Sequence, residues 1–404
     1  MGRNLQNGRG RLWAMRRKVW DMSVWDSLVG QQAVADRLAA IACGDPKQIA
    51  QSWLICGPPG SGRSNMARAF AAALESPDHG MSDEPTKVTR QVLEGTHPDV
   101  TVLATDKVTI GIDQVRDLIA ISEQMPSTAP WRIIIIEDVD RMLERTTNVL
   151  LKEIEEPSEH CIWLLCAPSA QDVLPTIRSR TRIVNLAVPQ PSAVADYLVR
   201  ETGVEEKTAR RAARLAEGHI GVAKLYATDE RVMTDRDELV VGVLNLARAS
   251  DAVLLAGTLI DNAKAQAEVD VARAAAADEA DFRRVNGLAE GERIPTKLRG
   301  AFNQIAKKDE LKRRATRRSR DVLDRALNTI ASVYRDVAVL QNNAEESVGL
   351  INLENRAAIT ELAARMPRAG AVARLDEVAL ARRRLAGNGN PTLVFEALFC
   401  ALLP

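Results

Sequence analysis

Residues 57–64 read Gly-Pro-Pro-Gly-Ser-Gly-Arg-Ser, the G-x-x-x-x-G-K-[ST] spacing of a phosphate-binding loop with arginine in the lysine position. Gly57, Gly60 and Gly62 let the backbone curl so that its N–H groups converge on an anion. Ser64 carries the hydroxyl that holds Mg²⁺ in such loops. Arg63 fits less well, because lysine reaches the phosphates as a compact charge and a guanidinium fork is wider. Farther along, the apolar run IIIIEDVD (133–140) ends in Glu137 and Asp138. In nucleotide hydrolases such a strand ends in a metal-holding Asp, usually followed by a Glu that orients water. The order is reversed here, so each carboxylate has the other's length. Two departures in one pocket predict a degenerate nucleotide site over Gly57, Gly60, Gly62, Arg63, Ser64, Glu137 and Asp138. It binds ATP or ADP weakly at most and requires no cofactor.

A third candidate is TIRSRTR (176–182), with three arginines in five residues. One reading is a solvated helix end. The other is an arginine finger, a guanidinium offered to a neighbouring subunit's γ-phosphate, where its planar fork binds bidentately.

Short apolar strands are expected to carry these residues: Ser52–Cys56, Val100–Leu103, Ile133–Ile136, Ile162–Cys166 and Ile183–Leu186. Wholly apolar strands suit a parallel sheet covered on both faces. Helical patterns at Asn65–Leu74, Ile112–Gln124 and Asn148–Ile154 alternate with them, which predicts an α/β doubly wound domain. After Pro189 and Pro191 strand signals stop. A small helical domain is expected over 191–229, broken at Gly203 and at Gly218/Gly221, and an all-α domain over 230–404. That last segment holds an Ala-rich charged stretch (264–293), the basic run KRRATRRSR (312–320) and a terminal apolar helix, Thr392–Leu403.

Net charge is formally zero, so any nucleic-acid contact has to be local rather than a property of the whole molecule. Cys43, Cys56, Cys161, Cys166 and Cys400 form no C-x-x-C pair; Cys56, Cys161 and Cys166 sit in apolar runs and read as buried thiols. No apolar stretch approaches a membrane span. Residues 1–22 are basic without an apolar core, and read as a disordered extension or an upstream start preceding Met15 or Met22.

The order VGQQ (29–32), GPPGSGRS, IIIIEDVDRM (133–142), NVLLKEIEEP (148–157) and TIRSR (176–180) resembles AAA+ clamp-loader subunits of bacterial DNA polymerase III. Asn-x-Leu-Leu-Lys-x-x-Glu-Glu-Pro followed by a Ser-Arg pair is close to a signature of the γ/τ and δ′ types. The altered loop and reversed carboxylates look like δ′, in its actinobacterial form. The resemblance implies an AAA+ domain with a five-stranded parallel sheet over 23–190, a helical lid over 191–229 and a helical collar over 230–404. It also implies a cytoplasmic, replisome-bound stator without intrinsic ATPase, in a five-membered ring with γ/τ and δ. That ring opens the sliding clamp and places it on primed DNA, within a complex of DNA-directed DNA polymerase activity. The family's Ser-Arg-Cys motif falls on Ser179, Arg180 and Thr181, making Arg180 the finger and Ser179 its neighbour; Thr181 departs from the pattern.

Two further departures matter. Many relatives carry four zinc-binding cysteines soon after the loop helix, whereas 76–98 has only His79 and His97, so no zinc is expected. Active lids carry an arginine in G-x-x-R-x-A; here Gly218 to Ala223 put Gly221 at that point, and His219 reads as a packed or capping residue. The rival reading is an active AAA+ ATPase, γ/τ-like or a helicase-loader motor, in which Arg63 substitutes for lysine. The basic run reads as a solvated face balancing upstream acids, with a phosphate contact or a polymerase or partner dock as the sharper option.

Overall fold

The computed structural model describes residues 23–104, 109–289, 291–305 and 307–403, so the expected N-terminal extension and its alternative starts lie outside the described residues. The apolar runs form β1 (Ser52–Cys56), β2 (Val100–Leu103), β3 (Arg132–Ile136), β4 (Cys161–Ala167) and β5 (Arg182–Asn185). Among the described residues these make one five-stranded sheet, all parallel, ordered β2-β3-β4-β1-β5. Because a strand alternates its faces, each run supplies two cores. Trp53, Ile55, Ile133, Ile135, Ile162 and Leu164 join one. Leu54, Ile134, Ile136, Trp163 and Leu165 join the other.

Helices cover both faces, which explains the continuous apolar strands. On the first face, α1 (Gln32–Ala42) presents Ala35 and Leu38, and α2 (Arg63–Glu75) presents Phe70 edge-on to Trp53 at 5.0 Å. After α3 (Lys87–Leu93), the other face is covered by α4 (Ile112–Ser122) and α5 (Glu144–Glu155) through Val115, Leu118, Leu150 and Ile154. The expectation of full cover fails at β5. It runs one residue earlier than Ile183–Leu186 and is an edge strand with only Val184 buried. Arg182 lies over the Trp53 ring instead, 5.1 Å from its centroid.

One compact unit ends at Asp229 and the next begins at Glu230. The first unit includes the short α6 (Pro175–Arg178) and closes with α7 (Pro191–Thr202), α8 (Glu206–Leu215) and α9 (Ile220–Thr228). Gly203 caps α7 in the left-handed region at φ 70°. Gly221, expected as a breaker, lies inside α9; the break belongs to Gly218 at φ 87° and to His219, whose ring accepts from Val222 N–H at 3.2 Å as N-cap.

The second unit is helical: α10 (Glu230–Leu244), α11 (Ala249–Val285), α12 (Arg299–Ile305), α13 (Lys308–Gln341), α14 (Glu345–Val348), α15 (Arg356–Arg365), α16 (Arg368–Ala386) and α17 (Pro391–Ala401). Its core joins Val240, Ile260, Leu327, Ile330, Phe395 and Phe399. No residue of α11 after Ala267 and none of α13 before Val322 is buried, so 268–285 and 308–321 stand clear of that core. The basic run lies on this exposed part of α13, where Arg314 pairs with Asp278 (3.1 Å) and Arg318 with Asp270 (3.2 Å). It is a face partly balanced by acids of α11.

Cys56, Cys161 and Cys166 are buried while Cys43 and Cys400 are exposed. Burial pushes the Cys161 and Cys166 thiols up to about 12, so neither is a nucleophile at neutral pH.

A buried carboxyl gives the α/β unit a pH dependence. Glu75 is 3% exposed, and its Oε1 has no hydrogen-bond partner. Burial pushes it up to about 8; the Trp131 N–H and Arg132 oppose the shift and Asp99 adds to it. Asp99 differs: burial alone would raise it, but the N–H and O–H groups of Ser127 and Thr128 bring it down to about 2. For Glu75 the unfolded chain ionises near 4.5 and the folded chain holds its proton to about 8. Its contribution to stability therefore falls as pH rises between those values, by roughly 5 kcal/mol in all. Urea denaturation of Glu75→Gln should show the variant gaining on the parent as pH rises from about 5 to about 8.5. A parent-minus-variant difference that stays flat contradicts this.

Candidate functional site

The phosphate-loop sequence sits where the sheet topology places ligand sites, at the carboxyl end of β1 next to the carboxyl end of β4. Gly57 N–H donates to Ala167 O at 3.2 Å, which ties the loop to β4. A Cβ on Gly57 would lie 2.5 Å from Ser61 Oγ and 2.9 Å from Leu186 Cβ, so this position accepts only glycine. Gly60 and Gly62 adopt φ of 80° and 93°. The loop delivers the chain into α2, and the backbone N–H groups of Gly62, Arg63, Ser64 and Asn65 have no acceptor among the described residues. The donors that would receive a phosphate are thus in place.

The metal side of the pocket is arranged differently. Arg63 Nη2 pairs with Asp138 Oδ1 at 3.1 Å, and Arg141 Nη2 takes Asp138 Oδ2 at 3.2 Å. Arg68 Nη2 pairs with Glu137 Oε1 at 3.0 Å. Both sequence-predicted carboxylates therefore spend their charge on arginines of this chain. Asp138 is also in the left-handed region at φ 54°, a cost that a non-glycine residue meets only where its surroundings impose it. Behind it Asp140 has a buried oxygen without a partner; burial raises its carboxyl and the neighbouring Asp138 charge adds to the rise. Among the described residues no group of three or more His, Cys, Asp or Glu is placed to hold a metal ion. The residues fit an anion at the loop and do not fit a divalent cation beside Glu137 and Asp138.

The helical segment after β5 closes over the loop. Ile220 N–H donates to Gly60 O at 3.1 Å, and the His219 ring lies where a Gly60 Cβ would stand, 2.2 Å from its Cγ. Gln31, in VGQQ, completes the closure: its side chain exchanges hydrogen bonds with Ala187 N and O at 3.1 and 2.7 Å. A Cβ added at Gly221 would lie 3.4 Å from His219 Cε1, so this position too is close to the ring. In the stretch 76–98, the His79 ring contacts Ala73 O and the His97 ring accepts from Asp99 N–H.

Arg180 and Ser179 lie just past α6 and apart from this ion-pair group, neither sharing a bond with it. Arg180 is 39% exposed. Ser179 Oγ donates to Thr176 O at 3.1 Å and stands 3.3 Å from Arg180 Nη1. Thr181, at the departing position, uses its hydroxyl to bond Ile177 O at 3.1 Å.

Sequence reading assigned no role to Gln31, Arg68, Arg141 and Glu155. Arg141 was findable, since it follows Asp138 at i+3. Arg68 reaches Glu137 across 69 positions, and no local pattern signals that pair.

The family model described as "DNA polymerase III, delta subunit" matches residues 30–190. DNA polymerase III subunit delta′ of Pseudomonas aeruginosa is 29% identical over 233 residues, covering 56% of this chain and 66% of that protein. Subunit delta′ of Escherichia coli K12 is 28% identical over 174 residues, or 42% and 52%. Subunit tau of Bacillus subtilis is 29% identical over 159 residues, or 39% and 28%. The chain therefore spans less than two thirds of the length of each.

Proposed function

Because residues 30–190 of this chain resemble the δ′ subunits of DNA polymerase III, we propose that it is a non-hydrolysing, δ′-type subunit of a clamp-loader complex. Its role is to hold the ring's shape while Arg180 faces the ATP of a neighbouring γ/τ subunit. The observation that carries this reading is the ion pairing of Asp138 with Arg63 and Arg141 and of Glu137 with Arg68. Hydrolysis at a phosphate loop needs a free carboxylate for Mg²⁺ and another to orient water. This pocket offers neither. Arg180 is partly exposed, and its Nη2 has no partner among the described residues.

In this reading the partners are γ/τ and δ, with the sliding clamp and primed DNA acted on by the assembled ring at the cytoplasmic replisome. The 191–229 helices serve as the lid and the 230–404 helices as the collar through which the ring assembles. When bound, nucleotide supplies only its anionic phosphates to the loop donors; the residues of this chain hold it without turning it over.

A second reading, an active AAA+ motor, draws on the unengaged loop N–H groups and on the likeness to tau. Titrating the isolated chain with ATP, with and without Mg²⁺, separates the two. We expect weak binding, insensitive to Mg²⁺, and no phosphate release above background. Mg²⁺-dependent turnover that disappears in Arg63→Ala would establish the motor instead.

A further inference from the structure

Arg180 is held from one side. Its Nε lies 2.5 Å from Glu155 Oε1, its Nη1 donates to Thr176 O at 3.0 Å and faces Ser179 Oγ at 3.3 Å, and its Nη2 meets no partner among the described residues. Glu155 is the last residue of α5, in the NVLLKEIEEP stretch to which no role has been given. The two residues stand on well-anchored backbone. Beside Glu155, Ile154 is buried and its carbonyl oxygen accepts from Ser52 Oγ at 3.4 Å. Three residues before Arg180, Ile177 is buried in the same core, and Thr181 Oγ1 bonds its carbonyl oxygen.

An exposed arginine samples many rotamers, and that freedom is lost when it meets a phosphate. Here the Nε and Nη1 edges are already taken, so the guanidinium plane is set and the Nη2 edge is the one left to present. We propose that Glu155 is a positioning residue for Arg180, fixing which edge of the guanidinium is offered to a neighbouring subunit's nucleotide. The proposal rests on the arginine-finger reading given above. A purely stabilising role is a poor account of the pair, since Glu155 is 43% and Arg180 39% exposed and ion pairs so open to water add little to folding. Glu155 also carries a charge that phosphates repel. A carboxylate kept so near a finger serves the finger's geometry rather than its field.

The test uses the reconstituted complex with sliding clamp and primed DNA, reading the kcat and KM of ATP hydrolysis. Glu155→Ala should lower kcat roughly 10-fold with KM little changed, as a misplaced reacting geometry does. Glu155→Gln keeps an oxygen facing Nε and should recover most of the loss. Glu155→Ala added to Arg180→Ala should cause no further loss, because the residue it positions is gone. Both Glu155 variants should melt within about 2 °C of the parent. If Arg180→Ala lowers kcat but Glu155→Ala does not, or lowers it further on the Arg180→Ala background, the positioning role is overturned and the finger stands. If Arg180→Ala leaves kcat unchanged, the finger fails and this inference with it.

Discussion

Replacing Arg180 with alanine should lower ATP hydrolysis at the neighbouring γ/τ site by at least roughly 10²-fold, since a guanidinium supplied in trans typically contributes 10³–10⁵. Clamp loading onto primed DNA should fall with it. Assembly should survive, because the side chain belongs to no core and, among the described residues, bonds to Glu155, Thr176 and Ser179 alone. Gel filtration of the variant complex checks assembly, and steady-state phosphate release checks the rate. Arg180→Lys should recover little, because an ammonium keeps the charge but loses the fork that Thr176 and Ser179 align. An assembled Arg180→Ala complex that hydrolyses ATP like the parent would remove the basis for a finger. Arg178 and Arg182, which flank it, are the controls. Arg182 lies over Trp53 and is committed to the fold.

Much of this arrangement was legible in the sequence because it depends on local rules. Strands β1 and β2 fall on the predicted residues, since short, mostly apolar runs (Ser52–Cys56 and Val100–Leu103) bounded by turn signals leave little choice of register. The curl of the phosphate loop follows from glycines at 57, 60 and 62, two of which adopt positive φ. The reversal of Glu137 and Asp138 was visible as a departure, but its consequence was not. That Arg68 would take Glu137, or Glu155 take Arg180, depends on where α2, α5 and α6 come together on the sheet, and nothing within a few residues encodes it. The misplaced cover of β5 has a similar origin. An apolar run looks the same at a sheet's centre and at its edge, and strand order is a property of the whole chain. Gly221 misled for the opposite reason: one glycine inside a helix is tolerated at a modest cost, so a local breaker signal was overridden by the cap at His219.

The contact between the loop and the 191–229 helices can be broken at a single carbon. Gly60 at φ 80° is in a region that costs an L-residue roughly 1–2 kcal/mol, and its missing Cβ is replaced by the His219 ring. In Gly60→Ala the new methyl would stand 2.2 Å from His219 Cγ and 2.3 Å from its Nδ1, so either the loop or the ring must move. Neither moves freely, because Ile220 N–H is bonded to Gly60 O and the ring is the N-cap of α9. Overpacking of this kind adds roughly 1–3 kcal/mol. The two terms together predict a loss of about 2–5 kcal/mol, which for a unit of this size lowers its melting transition by roughly 5–15 °C. Calorimetry of the full chain reads this directly. Adding His219→Ala to Gly60→Ala should return the overpacking share but not the backbone share, leaving a loss of about 2–3 kcal/mol once the missing cap is counted. The His219→Ala change alone costs about 1 kcal/mol through the lost cap. If Gly60→Ala melts like the parent, the 191–229 helices are not seated on the loop through Gly60 and His219.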